Sequence, residues 1–246
     1  MHKIFAVSAA ALCLGGCAST YALAPLAAGT QQVTYDHGSA VVMSKKELGA
    51  VRVMPTSTAF EGRLSLGVVA FNDGHAGANL GAENVRVFTA NGTSLRVFTY
   101  DQLVKEAKTA ATWAAVAVAL SGAANAYAAS QPTTVNTYGS ASGNLGYANY
   151  ASTSTIYNPA NAALANSLNQ AQTSRSINQI GATLDATLGS LGSSVLRTTT
   201  IEPGNAFGGN VIVDKPKFAK GEEATLRVVV TFSGEEHEFR FSVAPS

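Results

Sequence analysis

The run TAATWAAVAVALSGAANAYAAS, residues 109–130, opens a stretch that reaches residue 174 without one Lys, Arg, Asp or Glu. Charge is ordinary on both sides, with Lys105, Glu106 and Lys108 before it and Arg175 and Asp185 after it. Its first third is Ala-rich, its middle is Ser, Thr, Asn, Gly and Tyr, and its end returns to Ala and Asn before Leu164 and Leu168. The chain outside this stretch has β-type patterning, so the way this stretch folds decides the architecture.

Asp101 suits the start of a helix whose apolar side begins with Leu103, Val104 and Ala107. Ala111, Ala115, Ala119 and Ala123 recur every four residues, a small-residue stripe that lets another helix approach closely. Trp113 and Tyr127 add larger anchors. These six residues, Ala111 to Tyr127, are the candidate helix-packing or partner face. Gln131-Pro132 ends the helix. Residues 131–158 read as a low-complexity loop, with Tyr138, Tyr147, Tyr150 and Tyr157 set among Gly, Ser and Asn, and composition alone assigns it no structure. Asn158-Pro159 starts a second helix, in which Leu164, Leu168, Ala171, Ile177, Ile180, Leu184, Leu188, Leu191 and Val195 mostly step by three or four. The expectation is a helical hairpin over residues 101–198. The Ala-rich part is long enough to cross a bilayer, but Trp113, Val116, Val118 and Leu120 are its only strongly apolar side chains. At about −0.3 to −0.6 kcal/mol per strong aliphatic, insertion gains only a few kcal/mol.

Outside this block short strands alternate with turns. Residues 40–43, 50–54, 64–71, 84–88 and 95–99 are five candidate strands, the second ending at Pro55. Asn72-Asp73-Gly74 is a turn signal, and Asn91-Gly92 favours a positive φ in a hairpin. After the block, Glu202-Pro203-Gly204 fits a type II turn. Residues 211–213, 226–232 and 237–243 are three more strands, with Phe239, Phe241 and Val243 on one face. About eight short strands without intervening helices fit an Ig-like antiparallel β-sandwich, mainly β with an α insertion, with a small barrel as the alternative. The sandwich is expected over residues 33–100 and 199–246.

Charged residues make up 13% of the chain, about half the usual quarter. The net charge of +1 gives no electrostatic footprint for nucleic acid. Cys13 and Cys17 are the two cysteines, too close together to frame a disulfide-stapled fold.

At the N-terminus, His2 and Lys3 precede an apolar run over residues 4–14, the layout of a secretory signal. That run is shorter than the roughly 20 residues a transmembrane helix needs. Leu14-Gly15-Gly16-Cys17 follows and resembles the lipobox of bacterial lipoproteins. The resemblance covers only about the first 20 residues. It implies that residues 1–16 are a cleaved signal peptide and that Cys17 is acylated as the first mature residue. It also implies that Ala18, standing where Asp favours inner-membrane retention, directs the protein to the outer membrane, facing the periplasm. Residues 17–32 then read as the lipidated Cys and a tether.

Catalytic chemistry is not legible. Asp36-His37, Asp73-Gly74-His75 and Glu235-Glu236-His237 each place a carboxylate near a His, but none has zinc spacing. Gly139-Ser140-Ala141-Ser142-Gly143 has Ala where a nucleophile elbow has Ser. The expectation is a non-enzymatic, cofactor-free envelope protein with a structural or protein-interaction role. Its partners are the membrane, through acylated Cys17, and a further copy of the chain or another envelope protein, with no nucleic acid. Two alternatives stand beside it. One is a subunit of an export or pore assembly whose helical hairpin contacts the membrane. The other is a glycan- or peptide-binding module.

Overall fold

The structure, a computed structural model, describes residues 21–29, 31–36, 39–60, 62–143, 146–156, 159–218 and 224–245. The expected signal segment, residues 1–16, and Cys17 lie outside the described residues. In chain order the elements are β1 (Tyr21–Pro25), β2 (Gln32–Asp36), β3 (Ser39–Lys45), β4 (Gly49–Phe60), β5 (Arg63–Asn72), β6 (Ala78–Leu80), β7 (Val85–Thr89), β8 (Ser94–Leu95) and β9 (Val97–Phe98). They continue with α1 (Tyr100–Ser130), β10 (Thr133–Gly143), β11 (Gly146–Ile156), α2 (Pro159–Ser194), β12 (Thr199–Ile201), β13 (Ala206–Val213), β14 (Thr225–Phe232) and β15 (Glu235–Pro245). The chain divides into two compact units, one holding residues 1–100 and 194–246, the other residues 101–193.

The first unit is a β-sandwich. One antiparallel sheet has the order β1-β15-β14-β7-β8, the other β2-β3-β4-β5-β13-β9, and β12 pairs β6 in a small third sheet. Side chains alternate across a strand, so every second residue turns into the space between sheets. Val228, Val230, Phe232, Phe239 and Phe241 come from one sheet and Val51, Val53, Leu66, Val68 and Val211 from the other, all sealed in one core. Gly234, at φ 78°, and Ser233, at φ 50°, make the turn that joins β14 to β15. Gly92 takes φ 84° in the β7–β8 hairpin, where the Asn91 carboxamide oxygen accepts from the Thr93 N–H and the Thr89 hydroxyl. Asn72, fully buried, donates to the Ala76 and Ile201 carbonyls at 2.8 Å each and accepts from the Gly74 N–H. One side chain thus folds the loop after β5 and ties it to β12.

Several expectations need correction. The tether over residues 17–32 contains β1, which pairs with β15 from Tyr21↔Pro245 to Pro25↔Phe241. Its small, weakly patterned residues resemble a linker because its main stabilising partner, the edge of β15, is more than 200 residues away in sequence. The second strand does not stop at Pro55. It runs on to Phe60, because β3 covers β4 only as far as Val53. Beyond that point one edge of β4 is open, and a residue without an N–H is tolerated there. Residues 95–99 are not one strand either. Leu95 pairs with Val87 in the first sheet, while Val97 and Phe98 pair with Val213 and Ile212 in the second. The chain changes sheets at Arg96.

That change of sheet delivers the chain to the point of insertion. Phe98 pairs with Ile212 of β13, and after the second unit Val195 returns to bridge Asn210, two residues along the same strand. The Leu196 N–H donates to the Asn210 carbonyl at 2.9 Å, and the Arg197 guanidinium lies 4.1 Å from the centre of the Tyr100 ring. A Cβ on Gly209 would meet the Leu196 backbone at 2.8 Å, so only glycine permits this approach.

Candidate partner-binding surface

The second unit is built from two long helices and a β-hairpin between them. In α1, 31 residues long, Ala supplies helix propensity and Asp101 lies in the first turn where the helix dipole favours it. It spans about 46 Å at 1.5 Å per residue. Pro132 stops it, since the residue before a proline is pushed out of the helical region. Pro159 opens α2, where its missing N–H costs nothing. The hydroxyls of Thr109, Thr112, Ser121, Ser167 and Thr187 each donate to a carbonyl three or four residues back. Polar side chains on these helices are therefore partly satisfied by their own backbone.

The two helices come close at a small residue. Val104, Ala107, Ala111, Ala115, Val118, Gly122 and Ala126 are half-buried positions that form a seam along one side of α1, and Asn169, Thr173, Ser176, Ile180 and Leu184 are among those of α2. A Cβ on Gly122 would come within 2.5 Å of the Thr173 hydroxyl oxygen, which marks a close contact between the helices. A strict four-residue repeat cannot stay on such a seam, because each step overshoots a turn by about 40°. The structure accordingly places Ala111 and Ala115 at half-buried positions and leaves Ala119 and Ala123 exposed. The seam instead steps by three from Ala115 to Val118.

Trp113 and Tyr127 are 68% and 71% exposed. With Val116 and Leu120 they form a stripe spaced three, four and seven residues apart, all exposed. This stripe is offset by two residues from Ala115 and Gly122, about 200° around the helix. Of the six candidate residues, Ala111 and Ala115 lie on one side of α1, Trp113 and Tyr127 on the opposite side, and Ala119 and Ala123 between them. Leu164 and Leu168 of α2 are exposed as well. Their exposure could not be read from composition, but the spacing of Trp113, Val116, Leu120 and Tyr127 was available in the sequence. From Thr109 onward α1 carries no charge, and a helix apolar on two opposite sides lacks the usual solvated face.

The expected low-complexity loop over residues 131–158 is instead an antiparallel hairpin. β10 and β11 pair continuously over 11 residues each, from Thr133↔Ile156 to Gly143↔Gly146. Thr, Tyr, Val and Ile favour extended backbone, while weak contrast between its two faces hides the period of two. Tyr138, Thr137, Asn136 and Thr153 are exposed, and the Thr153 hydroxyl donates across the strands to the Asn136 side-chain oxygen at 2.9 Å. Tyr147 and Tyr150 lie at paired register positions in this hairpin.

Elsewhere the chemistry is sparse. Among the described residues no three His, Cys, Asp or Glu gather into a metal-binding group. Asp73 forms an ion pair with Lys45 at 3.4 Å, and His75 is exposed. His37 lies outside the described residues. His237 is fully buried between the sheets, with Nδ1 3.1 Å from the Ser44 hydroxyl. Burial holds its pKa below the ordinary value and Lys46 adds to this, against Glu235 and the hydrogen bond at Ser44. A shallow groove on the six-stranded sheet is lined by Met43, Ala50, Arg52, Val69 and Phe71 together with the Lys45–Asp73 pair. Comparison with protein families, with curated proteins and with solved structures finds no match.

Proposed function

We propose that this chain is a lipid-anchored cell-envelope protein, held at the outer membrane through acylated Cys17, with a structural or protein-interaction role carried by its second unit. The observation that carries this reading is the exposed stripe of Trp113, Val116, Leu120 and Tyr127 on the part of α1 that carries no charge, from Thr109 onward. Exposed apolar surface of that kind marks contact with another protein or a membrane. The anchor places the stripe in context. Residues 18–20 alone separate Cys17 from β1, a reach of about 10 Å at roughly 3.3–3.6 Å per residue. The sandwich is then held at the membrane surface rather than on a long tether.

A second reading, a subunit of an envelope pore, is favoured by the hairpin. Its uncharged strands of 11 residues match the roughly 9–11 that cross a bilayer as β-structure. No helix among the described residues is long and apolar enough to cross a membrane, so strands carry the crossing in that reading.

Replacing Cys17 by Ser is expected to abolish incorporation of labelled fatty acid and to release the protein from membranes. Continued labelling refutes the anchor. A photo-crosslinker at position 120 is expected to capture an envelope protein or a second copy of the chain in intact cells. No adduct from any of positions 113, 116, 120 and 127 removes the support for the interaction role.

A further inference from the structure

The β10–β11 sheet differs from the sandwich in how its edges are treated. A sheet edge offers a row of backbone donors and acceptors to any strand that comes alongside, and natural proteins blunt such edges. The sandwich does so. Its edge strands β8 and β9 are two residues long, β1 ends in Pro25, and the open part of β4 carries Pro55 and an irregular register. Among the described residues β10 and β11 form a sheet of two strands. Both have an outer edge 11 residues long, with no bulge, no proline and no charged residue along it. A two-stranded hairpin is marginal alone in water, yet this one is the longest continuous pairing among the described residues.

The geometry points to a second copy of this chain as the occupant: we propose that the hairpin is a self-association element, in which β11 of one copy pairs antiparallel with β10 of the next. This rests on the interaction role proposed above and names its partner. The chemistry of an open edge calls for a strand. A copy supplies one of equal length and, through its own two edges, keeps the antiparallel order at every junction. Charge offers no obstacle, because the uncharged run extends from the hairpin into α1 as far as Thr109 and into α2 as far as Ser174. Neighbouring copies meet over that whole length without like-charge repulsion. Each copy uses one β10 edge and one β11 edge, a head-to-tail contact that closes into a ring when the rotation per copy permits. The exposed Trp113 stripe and Leu164 and Leu168 lie on the helices that adjoin the hairpin in sequence, where ring neighbours can cover them.

Hydrogen exchange on the purified, acylated full-length protein tests this directly. In a free two-stranded hairpin only alternate amides are bonded across the pair. In the assembly, consecutive amides through residues 134–142 and 147–155 are expected to be slowed at least tenfold relative to unprotected backbone. Dilution below the association range is expected to restore the alternating pattern. Alternating protection in the concentrated protein overturns the proposal. So does a chain that stays monomeric at every concentration. The double variant Thr137→Lys with Thr153→Lys is expected to weaken self-association at least tenfold, while Thr137→Val with Thr153→Val retains it. If the Lys variant fails to fold, the exchange pattern of the parent still decides. Oligomers that persist in a folded Lys variant, with alternate hairpin amides exchanging freely, overturn the hairpin contact and leave an interaction through α1 intact.

Discussion

Phe239 and Trp113 are both large aromatic residues in regular secondary structure, and the first is fully buried while the second is 68% exposed. The difference extends to their surroundings. On β14 and β15 apolar residues alternate with Arg227, Glu238 and Arg240, so one face seals the core and the other meets water. On α1 the Ala seam is only half-buried and the opposite side is apolar again. The core cluster of the sandwich draws every member from the first unit. The sandwich therefore completes its own burial, and the second unit leaves large apolar side chains exposed. Stability is concentrated in one region and availability for contact in the other.

The sharpest way to break this contrast is a matched pair of truncations. Phe239→Ala is expected to destabilise the sandwich by about 3–5 kcal/mol, the cost of a cavity in a closed core. Chemical denaturation of the purified protein measures it. Trp113→Ala is expected to change the same quantity by less than about 0.5 kcal/mol, while reducing crosslinking to partners. Equal losses of stability in the two variants abolish the distinction.

A pH titration sharpens the contrast further, since among the described residues the clear pKa displacement is that of His237, in the sandwich. Because His237 titrates lower in the folded protein than its ordinary value of 6.5, the unfolded chain binds more protons between those two pH values. Stability is then complete above about pH 6.5 and falls as pH drops toward the folded pKa. His237→Leu is expected to flatten that part of the profile. An unchanged slope assigns the acid sensitivity to other groups.

The smallest effect comes from the largest deletion. Replacing residues 101–193 by a short Gly/Ser linker is expected to leave a single cooperative unfolding transition, because Phe98 and Val195 already sit two residues apart along β13. Loss of cooperative unfolding shows that the second unit supplies part of the sandwich's stability.

Much of the sandwich was legible because its signals are local. The alternation in residues 237–243, the turn glycines at positions 92, 204 and 234, and the proline stop at 132 each act within a few residues. The two helices were legible for the same reason. The candidate surface was legible only in part. Ala111 and Ala115 fall on the seam, but Ala119 and Ala123 drift off it, because a repeat of four differs from the 3.6-residue turn.

The sequence by itself determined the two helices and most strands of the sandwich, and that residues 109–174 carry no charge. The tertiary structure decided where backbone groups find their partners. β1 became a strand because the edge of β15 was open to it, and β4 passes through Pro55 because no neighbour needs an N–H there. The chain changes sheets at Arg96 because two different strands, β7 and β13, offer adjacent edges. The polar stretch between the helices pairs with itself over 11 residues per strand although its faces differ little. Backbone hydrogen bonds are the same for every non-proline residue, so their long-range pairing leaves little trace in side-chain patterning, whereas burial writes itself directly into the order of the side chains.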